Sequence, residues 1–92
     1  QNSKEETRIH DEITQSGALG GNKPFALSHA IKGISRALKA HTLPTPTVSF
    51  FLDDPEPHRA FLVTGRTEPK LNSLVAPGEM ALQVGFQEIQ GN

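Results

Sequence analysis

The chain has 92 residues, with 9 Lys+Arg against 10 Asp+Glu and a net charge of −1. So balanced a charge provides no global field to steer it to nucleic acid or to a membrane surface. No cysteine is present, which excludes a disulfide framework, a thiolate metal site and a thiol nucleophile.

The length suits one small domain over residues 1–92. A core this small leaves stability modest, so a partner or a second copy of the chain is a natural source of further burial. No apolar run approaches the length of a spanning helix, and no signal-peptide pattern is present.

In chain order, residues 3–16 read as a helix. Ser3 and Glu6 have capping-box spacing, and Glu5 with Arg8 and Arg8 with Glu12 are favourable surface pairs. Only Ile9 and Ile13 supply an apolar stripe, too little to hold an isolated helix. Residues 1–22 are therefore expected to be a loosely docked helix that stops near Gly17, followed by a glycine-rich linker.

Residues 24–41 form the clearest helix, with Pro24 suited to its first turn. Leu27, Ile31, Ile34 and Leu38 make one apolar face. His29, Lys32, Arg36 and Lys39 recur on another. Gly33 costs about 1 kcal/mol against Ala inside a helix, so a close approach by another backbone is expected there.

Pro44 and Pro46 end this helix. Residues 47–52 then alternate, with Val48, Phe50 and Leu52 on one side and Ser49 and Phe51 on the other. Residues 53–58 are a turn by composition, and 59–66 complete a hairpin. Residues 67–79 connect to the last strand through a short helical turn or a loop tucked against the core. In 80–89, Met80, Leu82, Val84 and Phe86 alternate with Gln83 and Gln87, as one buried and one solvated face require.

The expected architecture is α+β: two N-terminal helices (3–16 and 24–41) and a three-stranded antiparallel sheet (47–52, 59–66, 80–89), one helix packed on the sheet.

Motifs for chemistry are weak. Asp53, Asp54, Glu56 and His58 gather carboxylates and an imidazole in one turn, but the spacing of a calcium loop is absent and two prolines stiffen it. The glycines of 17–23 lack the Gly-Lys-Ser/Thr of a phosphate loop. His10, His29, His41 and His58 show no paired metal spacing. The expectation is no enzyme activity, no metal and no cofactor.

Two surfaces carry functional expectations. Phe51, Leu62 and Ile89 place apolar side chains on the nominally outer sheet face, and a three-stranded sheet has open edges that accept strands. The leading expectation is a protein–protein interaction module, pairing with another protein or with itself through that face or edge. The alternative is nucleic-acid binding through His29, Lys32, Arg36 and Lys39. No acidic residue stands between Gly17 and Leu52, which isolates this basic face, although no aromatic residue interleaves it for base stacking. A membrane partner is not expected.

Overall fold

The computed structural model describes residues 3–41, 45–52, 59–76 and 79–86. The fold is small and α+β, with two helices and antiparallel sheets of two and three strands. Its elements run α1 (Ser3–Gln15), β1 (Phe25–Ala26), α2 (Leu27–Lys39), β2 (Pro46–Leu52), β3 (Arg59–Val63), β4 (Leu74–Val75) and β5 (Met80–Phe86).

The larger sheet has the order β3-β2-β5, so the first strand of the trio is its centre. In the β2–β3 register Val48 opposes Val63, Phe50 opposes Phe61 and Leu52 opposes Arg59. On the other side Val48 opposes Val84, Phe50 opposes Leu82 and Leu52 opposes Met80. Period-two alternation sends all these side chains to one face, where all but Arg59 join the core or pack on it. Phe50 is fully buried and stacks on Phe61 with ring centroids 5.2 Å apart, a cross-strand pair of the kind that stabilises sheets.

Both helices cover this face, where the sequence predicted one. The apolar stripe of α2 (Leu27, Ile31, Ile34, Leu38) is buried as its spacing predicts. The two isoleucines of α1, Ile9 and Ile13, are both fully buried in the same core. Two residues suffice because α1 has α2 and β5 to pack against; tertiary burial, not helix propensity, holds it.

Several boundaries differ from the sequence reading, each for a long-range reason. The helix predicted from residue 24 starts at Leu27, because Phe25 and Ala26 pair with Val75 and Leu74 as a second sheet. Ala26 offers no side-chain cap, and the Leu27 amide instead donates to the Ser73 carbonyl at 2.7 Å. One of the orphan donors of the helix start is thus satisfied from 46 residues downstream, 73 − 27. The connection 67–79 therefore contains a short strand, with Val75 buried and Leu74 exposed.

The strand predicted over 59–66 ends at Val63. There the Thr64 amide donates to Thr67 Oγ1 at 2.7 Å and the Thr67 amide to the Thr64 carbonyl, which closes a turn. The last strand is described to Phe86; its predicted extension to 89 lies outside the described residues. So does the Ser3 side chain, on which the expected capping box rests.

Gly17 does follow the end of α1, with φ of 80°. The linker beyond it is anchored by Ala18, which is buried and seats on α2 at Gly33. A Cβ placed on Gly33 would lie 2.6 Å from the Ala18 Cβ and 3.3 Å from its Cα. This is the close approach that the glycine's position implied.

Gly33→Ala gains helix propensity but forces these backbones apart, and overpacking of this kind costs about 1–3 kcal/mol. We expect a net loss near 1 kcal/mol in urea denaturation, and partial recovery when Ala18→Gly is added. A Gly33→Ala variant more stable than the parent would remove the contact from the fold's essentials.

Candidate functional site

Period-two alternation also defines the sheet's other face. It carries Thr47, Ser49 and Phe51 from β2, Ala60 and Leu62 from β3, and Ala81, Gln83 and Gly85 from β5. Phe51 lies between Ala60 and Ala81, and Ser49 lies between Leu62 and Gln83. Leu62 is 58% exposed and Phe51 half-buried, and neither belongs to the core cluster. Thr47 is the covered member, its hydroxyl 3.4 Å from the Gly85 carbonyl.

No described residue of this face is charged. A solvated antiparallel face ordinarily alternates apolar-in with polar-out, often charged. This one presents alanine, glycine, serine and glutamine around two large apolar side chains. The edge strand β5 has no charge and no proline in seven residues, the devices by which sheets usually guard their edges. Phe51 and Leu62 thus share one surface, as the sequence expected; Ile89 lies outside the described residues.

The second surface is on α2. His29, Lys32, Arg36 and Lys39 are all exposed along the side away from the apolar stripe. None of the three cations makes an ion pair among the described residues. Two grooves flank them. One, about 550 Å³, lies against the end of α1 and includes Glu12, Ser16, His29, Lys32 and Arg36. The other, about 290 Å³, faces the segment after β3 and includes Lys32, Arg36, Lys39 and Thr67.

The acidic side of the molecule is α1. Glu5 pairs with Arg8 at 3.2 Å, as expected. Glu5 and Glu12 also both reach His41, just past the end of α2: Nδ1 is 3.4 Å from Glu5 Oε2 and Nε2 is 3.4 Å from Glu12 Oε1. The His41 side chain is 5% exposed. Glu5 and Glu12 are seven residues apart, two helical turns, so both fall on one side of α1 and bracket the ring.

In the sequence His41 shows only that it lacks paired metal spacing with the other histidines. No local signal identifies its partners, since they lie some thirty residues upstream on another element. The acidic turn with Asp53, Asp54, Glu56 and His58, for which no metal is expected, lies outside the described residues. Among the described residues no three His, Asp or Glu side chains come together as a metal site, and no helix is long and apolar enough to cross a membrane.

A double-mutant cycle over His41→Ala and Glu12→Ala should return a coupling of about 0.5–1 kcal/mol, the scale of a partly exposed ion pair. Additive losses in thermal or chemical denaturation would show that the two side chains are neighbours without interaction.

Comparison with protein-family models, with curated proteins and with solved structures finds no match for this chain.

Proposed function

We propose that the protein is a non-enzymatic interaction module that pairs with a second copy of itself through the outer face of the β3-β2-β5 sheet. The observation that carries this reading is the composition of that face. Eight described positions hold no charge and present Phe51 and Leu62 outside the core. Self-pairing suits it because a two-fold contact of like faces needs no charge complement, and this face has none. Two sheets stacked face to face at about 10 Å separation would bring the Phe51 and Leu62 rows together.

Size sets the strength of such a contact. Three strands spaced about 4.8 Å apart, with about 3.3 Å per residue over seven residues, give a footprint of roughly 330 Å². Stable interfaces bury about 800 Å² per partner. The face by itself therefore supports a transient dimer, and the unguarded β5 edge is the place where a neighbouring strand would extend it.

Sedimentation velocity across about 10–500 µM should show a concentration-dependent rise toward a dimer, in the range where transient contacts of this size associate. Leu62→Lys, on the face but on the far strand from β5, should abolish the rise, and Ala81→Lys should do the same from the β5 side. A monomer at every concentration, or a dimer indifferent to both substitutions, would exclude the face.

A second reading rests on the cations of α2, which are unpaired among the described residues. Lys32, Arg36 and Lys39, with His29 beside them, fit a nucleic-acid backbone. Lys32 and Lys39 are separated by about 10 Å along the helix, the axial span of about three phosphates on one strand. Fluorescence anisotropy with mixed DNA and RNA should then show binding at about 50 mM salt that collapses near 200 mM, and a Lys32→Glu, Arg36→Glu variant should lose it. No binding at the lower salt retires this reading and leaves the sheet face untouched.

A further inference from the structure

The smaller groove beside α2, about 290 Å³, brings the helix cations to face a second segment of the chain. Lys32, Arg36 and Lys39 stand on its helix wall, exposed and without an ion pair among the described residues. They are spaced four and three residues apart, so they share one side of α2 over about two turns, roughly 10 Å. The opposite wall is the segment after β3, which contributes Thr67 and Pro69. No described residue lining the groove is a carboxylate. Glu68, next to Thr67 in the chain, pairs instead with Lys70 at 3.6 Å.

Two hydroxyl side chains line this groove, Ser35 and Thr67. Ser35 is buried on the helix. Thr67 is half-buried, between the exposed Arg66 and Glu68, and residues 64–73 around it form neither helix nor strand. Irregular surface backbone of this kind is what a modifying enzyme can draw into its own active site. The turn that carries Thr67 is held close to α2: a Cβ on Gly65 would lie 3.2 Å from Lys39 Cγ. Thr67 Oγ1 accepts from the Thr64 amide at 2.7 Å, which fixes the side chain within that turn.

We propose that Thr67 is a phosphorylation site whose phosphate is held across the groove by Lys32, Arg36 and Lys39. A phosphothreonine carries a charge of about −1.5 to −2 and strong acceptor oxygens, and it orders a segment when cations stand opposite it. Arg36, between the two lysines in sequence, offers the guanidinium fork that matches two phosphate oxygens. A single exposed ion pair contributes little, whereas several cations sharing one dianion form a network. A protein kinase makes the ester from a magnesium-bound nucleoside triphosphate. Thr67 Oγ1 attacks the γ-phosphorus, the Oγ1–P bond forms, the bond to the nucleoside diphosphate breaks, and the hydroxyl proton leaves through the kinase's base. The same phosphate would occupy cations that nucleic-acid binding needs; that consequence, unlike the site itself, rests on the second reading above.

The test installs phosphothreonine at position 67 of the full chain and follows its phosphorus NMR resonance against pH. Cations favour the dianion, so the second ionisation should fall about half a pH unit or more below its position in the urea-unfolded chain, which is about 6. Lys32→Gln with Arg36→Gln should return it to the unfolded value, and Lys23→Gln should leave it lowered. A phosphate that ionises as in the unfolded chain, or that ignores the paired substitution, overturns the clamp. Incubation of the unmodified chain with MgATP and an extract of its source cells, read by peptide mass spectrometry, should place phosphate on Thr67. Phosphate found only elsewhere, or not at all, overturns the modification. In fluorescence anisotropy at about 50 mM salt, the phosphorylated chain should bind nucleic acid about ten-fold more weakly than the unmodified one, and equal binding overturns the consequence. If the unmodified chain binds none, the second reading falls while the ionisation and the mass spectra still decide the site.

Discussion

Everything on the sheet follows from the register of β2. Phe50 is buried against Phe61, between Val48 and Leu52, and these three side chains hold the central strand under both helices. Because a strand alternates with a period of two, burying Phe50 obliges Phe51 to emerge on the opposite side. The same step fixes Ser49 and Thr47 outward and, through the pairings, Leu62, Ala60, Ala81 and Gln83 with them. A slip of one residue would exchange core and surface along the strand. The outer face is therefore not an independent feature. It is the complement of the core, and its lack of charge is the property that the core does not dictate.

The helices meet through one steric and one electrostatic contact. Gly33 lets Ala18 approach α2 closely, which draws the end of α1 and the linker onto the helix. At the other end, Glu5 and Glu12 of α1 bracket the buried His41 ring. The second contact turns part of the acidic side of α1 inward, toward the end of α2. The cations of α2 are left without acidic partners among the described residues, and grooves form on both sides of them. Lys32, Arg36 and Lys39 thus stand exposed on one helix of a chain whose net charge is −1.

These surfaces divide the molecule's capacities. The sheet face offers apolar contact without charge; the α2 side offers charge without aromatic platforms. A surface cation exposed to water gains little from any single anion.

By itself the sequence determined the class of fold, the two helices, the three main strands and the inward or outward sense of most side chains. Those depend on short-range periodicity, which is written in consecutive residues: Leu27, Ile31, Ile34 and Leu38 on the helix, Val48, Phe50 and Leu52 on the strand. It also placed Phe51 and Leu62 on one face and the basic residues on another. Only the tertiary structure decided the β1–β4 pairing that delays α2 to Leu27, the second helix on the sheet, the strand order with β2 at its centre, and the meeting of His41 with Glu5 and Glu12. Each of these joins residues far apart in the chain. A pair such as Leu27 and Ser73, or His41 and Glu5, leaves no periodic trace, because its energy depends on which surfaces remain free once the core has formed.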